Sequence, residues 1–217
     1  MIKAAIFDVD GTLVDTEYYQ WQGWVELLKP YDIKLSKEAY YNYAGKAGNI
    51  AEAEIRRDFK LKDKPGVLLK KKEDLLIEWF KEKTLKQMPY AKEAAEFFVN
   101  RKIKIAVAGG STRDEITLKL KKTGLDIFPL IVSGTEVEKG KPHPDVYLLT
   151  AKRLRVKPEE CVVFEDTQYG LEAAKAAGMI CLAVPNEFSK KQKFSKADGL
   201  FASLKEAIDW MVENLDL

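Results

Sequence analysis

The stretch "IKAAIFDVDGTLVDTE", residues 2–17, decides how this chain is read. A run of mostly apolar residues carries straight into Asp8 and Asp10, and then into Gly11 and Thr12. Residues two apart on a strand project to the same face, so both carboxylates can reach the crevice where the chain turns through Gly11. Like charges that close raise each other's pKa unless something positive sits between them. The motif therefore predicts one neutral carboxyl or a shared cation.

Outward from this stretch, runs of the same strand character recur in "IKIAVA", "LIVSG", "CVVFED" and "ICLAVP". Helical patterns separate them, among them "RDEITLKLKKTG", "PDVYLLTAKRLRV" and "YGLEAAKAAGM". Apolar strands alternating with helices predict an α/β fold: a Rossmann-like parallel sheet core with helices on both faces. Ligands of such sheets gather at the carboxyl ends of the strands. The glycines of "KKTGLD" and "AAGMI" stand where helices should stop, and Pro158 lies in a turn. Between Asp15 and Lys86 the alternation fails: only helical patterns rich in Lys, Glu, Tyr and Trp occur, broken at "KPYDIKLS", "YAGKAGN" and "KDKPG". The expected organisation is a core of residues 1–14 and 87–217, with an inserted helical cap of residues 15–86 above the strand ends.

Bulk properties exclude several function classes. The chain has 217 residues, 46% of them hydrophobic and 32% charged, an ordinary soluble composition. Its 36 basic and 34 acidic residues leave a formal charge of +2, which offers no footprint for nucleic acid. The densest basic run, "LLKKKED" at 68–74, reads as a solvated helix face. No stretch approaches the ~20 apolar residues of a membrane span, and "MIKAAIF" lacks the apolar core of a signal peptide. A cytoplasmic protein is expected, monomeric by default, with Cys161 and Cys181 as buried reduced thiols.

A second acidic pair, Glu165 and Asp166, ends the apolar run of "CVVFEDTQYGLEAAKAAGM", and Lys141 opens "KPHPDVY" after a third. If these strands are neighbours, three or four carboxylates converge. A hard cation such as Mg²⁺, which takes oxygen ligands, makes that tolerable, and the Lys141 ammonium offsets the rest. Each motif alone has a plainer reading, as a turn, a helix start or a solvated loop lysine. All three in order, each after an apolar run, point to a site.

In "FDVDGTLVDTE", "GKPHPDVY" and "VVFEDTQYGLEAAKAAGM" the chain resembles the haloacid dehalogenase-like hydrolases, the superfamily of aspartate-nucleophile phosphatases. It is most similar to the helical-cap group to which beta-phosphoglucomutase and many sugar-phosphate phosphatases belong. The resemblance implies that Asp8 attacks phosphorus to give an aspartyl-phosphate, and that Asp10 protonates the leaving oxygen and later deprotonates water. An acid at position 10 favours phosphate esters over haloacids, because halide leaves without a proton. The resemblance places Mg²⁺ on the carboxylates of Asp8 and Asp166 and the backbone carbonyl of Asp10, with Glu165 acting nearby or through a metal-bound water. Lys141 would steady the nucleophile and the phosphoryl oxygens.

The chain departs from this pattern in three places. Gly109 stands where the family carries a Ser or Thr that binds phosphate. The amides of Gly109 and Gly110 could cradle the phosphoryl group, and Ser111 or Thr112 could supply the hydroxyl or merely cap the next helix. In the cap, Gln20 replaces an expected histidine and Gly48 an expected arginine, which favours a phosphatase over a mutase. Lys46 is a candidate substrate contact or a solvated loop lysine. Trp21 and Trp24 share a helix face and should pack inside the cap, while Tyr18, Gln20 and Gln22 could line the substrate entrance. His143, between two prolines, reads as a loop residue.

The leading expectation is a Mg²⁺-dependent phosphatase acting on a small phosphorylated metabolite. A phosphomutase of the beta-phosphoglucomutase type is the alternative, and a non-catalytic phospho-ligand sensor a third, motivated by Gly109. The crossings near Asp15 and Met88–Pro89 are candidate hinges of a lid.

Overall fold

A computed structural model describes residues 1–216. Six strands, β1 (Ala4–Phe7), β2 (Lys104–Gly109), β3 (Ile131–Ser133), β4 (Cys161–Glu165), β5 (Ile180–Ala183) and β6 (Gly199–Leu200), form one sheet. They lie in the order β3-β2-β1-β4-β5-β6, and every pairing is parallel. The short β6 has no sequence signal of its own. Its two residues extend the edge beside β5.

Each face of the sheet buries its own apolar set, as a strand period of two requires. On one face Phe7 stacks on Phe164 at 4.7 Å between ring centroids and meets Phe98 and Phe128 edge-on at 5.9 and 5.6 Å. These rings lie under α5 (Ala91–Asn100) and α9 (Leu204–Asn214), which close that face. On the other face Ala4, Ile6, Ala106 and Val163 pack against α7 (Asp145–Leu154) and α8 (Gln168–Ala176). Cys161 and Cys181 are buried free thiols in this second layer. Among the described residues, no helix is long and apolar enough to cross a membrane.

Between β1 and α5 the chain forms α1 (Glu17–Leu28), α2 (Lys37–Tyr40), α3 (Gly48–Asp58) and α4 (Val67–Glu82). These helices hold a separate apolar cluster around Trp24, Leu28, Tyr40, Tyr43, Ile55 and Leu68. Trp24 is 1% exposed, and the Trp21 indole Nε1 donates to Leu35 O at 3.0 Å. Leu76 and Phe80 of α4 reach past this cluster into the core beside β1. The two chain crossings run side by side: Asp15 N donates to Lys86 O at 3.0 Å and Met88 N to Leu13 O at 2.8 Å.

The solvated-face reading of 68–74 holds for Lys70 and Lys71 but not for Lys72. Lys72 lies one helical turn from both Leu68 and Leu76, so it shares their inward face and is 8% exposed. Its ammonium lies 5.1 Å from the centroid of the Trp24 ring.

Candidate active site

The register of the sheet assembles the site. Phe7 pairs with Val107 on one side and Phe164 on the other, so Asp8, Ala108 and Glu165 emerge in one row. Asp8 continues the ladder, its N donating to Phe164 O at 3.0 Å. Lys141 enters this row from the loop before α7. Its Nζ stands 2.5 Å from Asp8 Oδ1 and 2.5 Å from Glu165 Oε1, and donates to Ala108 O at 3.3 Å. Glu165 is spoken for on both oxygens. Tyr147 Oη also donates to Oε1 at 2.6 Å, and Oε2 accepts from the N of Asp166 and from the N and Oγ1 of Thr167.

The two aspartates of the opening motif sit in different electrostatic surroundings. Burial drives the Asp8 carboxyl up to about 7, against the pull of the Lys141 ammonium. Burial alone would raise Asp10 too, but Lys119 holds it below its ordinary value, helped by Thr16 and Ser111. Lys119 lies on α6 (Arg113–Thr123), 2.5 Å from Asp10 Oδ1. Thr16 Oγ1 donates to the same oxygen, and Ser111 Oγ donates to Oδ2 at 2.9 Å. Lys119 is itself fully buried. Burial opposes its charge, yet Asp10 and Glu115 outweigh it and push the ammonium up to about 12.

Asp166, after β4, faces the turn at Gly11. Thr12 Oγ1 donates to its Oδ1 at 3.1 Å and Asn186 Nδ2 to its Oδ2 at 2.6 Å. Gly11 has φ +81°, and a β-carbon there would lie 2.4 Å from Asp166 Oδ2, so only glycine lets the turn come this close. Burial pushes Asp166 well above its ordinary value, reinforced by Glu165 and Asp8. Carboxylate oxygens of Asp8, Glu165 and Asp166 all lie within 4.8 Å of one another, and all three residues are buried. One ammonium, Lys141, pairs with Asp8 and Glu165, and Asp166 has no cation beside it among these contacts. This hard-oxygen donor set with excess negative charge fits a divalent cation such as Mg²⁺.

Above the row lies a cavity of about 300 Å³. Asp8, Asp10, Gly109, Gly110, Ser111 and Lys141 line its core side. Glu17, Gln20, Trp24, Tyr40, Tyr43, Lys46 and Lys72 line the side formed by α1 to α4. Of the aromatic-helix candidates, Gln20 faces the cavity, whereas Tyr18 is 51% exposed and packs on Trp21. Lys46 is not a free loop lysine: it pairs with Glu54 and lies 5.6 Å from the Tyr169 ring centroid. Thr112 is the cap of α6, accepting from Glu115 N, while Ser111 turns to Asp10. A β-carbon at Gly109 would meet Val9 and Ile116 at 3.4 and 3.5 Å, ordinary contacts, so the backbone there does not itself demand glycine. His143 is an exposed loop residue.

A model of the haloacid dehalogenase-like hydrolase family matches residues 5–184. The chain belongs to the haloacid dehalogenase-like hydrolases. Among its relatives in this family, the chain is 33% identical over 179 residues to the phosphorylated carbohydrates phosphatase of Thermotoga maritima, covering 82% of each chain. It is also 33% identical over 176 residues to the fructose-1-phosphate phosphatase YqaB of Escherichia coli, covering 80% of this chain and 92% of that one. A mutant of CbbY from Rhodobacter sphaeroides, crystallised with xylulose-(1,5)bisphosphate, superposes with a TM-score of 0.85 at 28% identity, covering 95% of this chain and 96% of that one.

Several residues of this haloacid dehalogenase-like site carry no mark in the sequence. Lys119 and Glu115 sit in the lysine-rich "DEITLKLKK", which reads as solvated. Their one signal is the i,i+4 spacing, flanked by the buried Ile116 and Leu120. Glu17, Thr16, Tyr147 and Asn186 are placed by the tertiary fold alone. Glu17 is 7% exposed with Oε2 lacking any hydrogen-bond partner, and burial together with nearby Asp10 raises it to about 8.

Proposed function

We propose that the chain is a phosphatase that hydrolyses a small phosphorylated sugar, with Mg²⁺ held by the carboxylates of Asp8 and Asp166 and the backbone carbonyl of Asp10. The observation that carries this reading is the pairing of a Lys141-held Asp8 with a separately held Asp10 at the floor of one cavity. When bound, Mg²⁺ supplies Lewis-acid neutralisation of the phosphoryl charge. Asp8 is the nucleophile: its carboxylate oxygen bonds phosphorus as the P–O bond to the sugar breaks, leaving an acyl phosphate on the chain itself. Asp10, an ionised carboxylate beside Lys119 in the free protein, takes up a proton as substrate binds, gives it to the departing sugar oxygen and later takes one from the water that hydrolyses the aspartyl-phosphate. Lys141 keeps Asp8 oriented and presents positive charge to the phosphoryl oxygens. Glu165, with both oxygens engaged, acts from outside the ion's direct ligands by holding Lys141 in place. The Gly109–Gly110–Ser111 segment, before α6, cradles the phosphate.

Residues 15–86 act as a cap that reads the sugar. Trp24, Tyr40 and Tyr43 offer apolar ring faces, and Gln20, Glu17 and Lys72 offer donors and acceptors, a mixture suited to a polyol. The cap keeps water out of the first half of the reaction. A mutase must hold a second phosphate while the intermediate reorients, and Gly48 argues against it. Gly48, the first residue of α3, brings no cation to a second phosphate, and a longer side chain there would have to displace Leu69, whose Cδ1 lies 2.7 Å from the place of a β-carbon. The buried free thiols suit a reducing compartment such as the cytoplasm.

The test is phosphate release from p-nitrophenyl phosphate, fructose 1-phosphate, xylulose 1,5-bisphosphate and a panel of other sugar phosphates, with Mg²⁺ and with EDTA. Release should require Mg²⁺, vanish with EDTA, and fall by at least about a thousandfold in Asp8→Asn. Turnover that persists in Asp8→Asn, or that EDTA leaves untouched, would overturn the assignment.

A further inference from the structure

Lys119 is fully buried, yet the proposed chemistry gives it no part. Its Nζ lies 2.5 Å from Asp10 Oδ1, 2.5 Å from Glu115 Oε1 and 3.1 Å from Ser111 Oγ, and 5.1 Å from the centroid of the Phe80 ring. Stability alone is a poor reason for such a residue. A buried ion pair is often matched or bettered by apolar side chains of similar volume. Here those are ready to hand, because Ile116, Leu120 and Phe80 already pack as core around this turn of α6. A methionine would complete that packing.

What an apolar residue would not do is hold Asp10. Three donors fix this carboxylate: Thr16 and Lys119 on Oδ1 and Ser111 on Oδ2. The Ser111 hydroxyl leaves slack. Ser111 Oγ lies 2.9 Å from Asp10 Oδ2 and 3.0 Å from Glu115 Oε1, so its single proton can serve either carboxylate. Lys119 bridges Asp10, Glu115 and Ser111 at once and removes that ambiguity. We propose that Lys119 is a positioning residue for Asp10, anchoring the carboxylate on α6 in the orientation its proton transfers need. The inference rests on the phosphatase reading, in which Asp10 serves the leaving oxygen and the attacking water.

The effect must then pass through Asp10, which gives a readout that a merely structural role would not move. Transfer from p-nitrophenyl phosphate needs no proton donor, since the phenolate leaves unaided, whereas transfer from an alkyl phosphate needs one. The quantity kcat/KM reports that first transfer alone. The variant is Lys119→Met combined with Glu115→Gln, which removes the ammonium from Asp10 without leaving Glu115 as an unpaired buried carboxylate. It is compared with the parent on p-nitrophenyl phosphate and on the alkyl phosphate that the parent hydrolyses fastest. The ratio of alkyl to aryl kcat/KM should fall by about tenfold or more, in the direction set by Asp10→Asn. Adding the two substitutions to Asp10→Asn should change the ratio no further. A ratio that stays at the parent value, an equal loss on both substrates, or a full additional loss in the Asp10→Asn background would overturn the proposal. Lys119→Gln combined with Glu115→Gln is the milder second variant should the first fold poorly, since two amides can pair where the ions did; its ratio should fall in the same direction, and an unchanged ratio there also counts against Lys119. A parent that releases phosphate from neither substrate would refute the phosphatase reading itself, an outcome distinct from all of these.

Discussion

Glu17 lies where a carboxylate is poorly accommodated: buried beside the cavity, with one oxygen lacking a partner and Asp10 nearby. Its folded value of about 8 lies above the ordinary 4.5, so the folded protein holds a proton that the unfolded chain releases. The stability this proton confers is complete below about pH 4.5 and is lost as pH rises towards 8. Glu17→Gln should therefore match the parent in acid and exceed it at pH 9 by about 2–4 kcal/mol in denaturant unfolding with EDTA present. A variant no more stable than the parent at high pH would show that Glu17 is ionised without penalty. At this scale the sequence revealed the residues that end strands. Asp8, Asp10, Glu165 and Asp166 each follow an apolar run, and an acid there is conspicuous. Lys119 and Lys72 were hidden, because a charged residue in a charged helix looks solvated until its neighbours in space are known, and Glu17 because it reads as an ordinary first-turn acid of α1.

Among the elements, the βα turn from β4 into α8 has the tightest local geometry. Thr167 caps α8, accepting from Gly170 N, while its own N and hydroxyl donate to Glu165. Gly170 lies directly beneath that carboxylate: a β-carbon there would fall 1.8 Å from Glu165 Cδ. Gly170→Ala should destabilise the fold by about 1–3 kcal/mol and also slow phosphate release, because displacing Glu165 releases Lys141 from its second partner. A melting temperature and activity equal to the parent's would mean that the turn relaxes freely. Element types and order were legible from periodicity and from stops such as Gly124, which ends α6 at φ +68°. The two-residue β6 was not, since a strand that short carries no alternation and exists only because β5 offers an edge.

For the whole molecule, the parallel register sets positions 8 and 165 side by side and the loop before α7 adds Lys141, and on the proposed mechanism this convergence gives Asp8 its task. On this mechanism a phosphoryl group rests on Asp8 between two steps that both depend on Asp10. Asp10→Asn separates those steps. With p-nitrophenyl phosphate the first needs no acid, while the second still needs a base. The most direct measurement mixes Asp10→Asn with p-nitrophenyl phosphate and Mg²⁺, quenches in acid, and locates added mass on peptides of the digested protein. One phosphoryl group should appear on the peptide that contains Asp8, absent without Mg²⁺ and absent when Asp8→Asn is added. Phosphate release without any labelled peptide, or a label carried elsewhere, would contradict it.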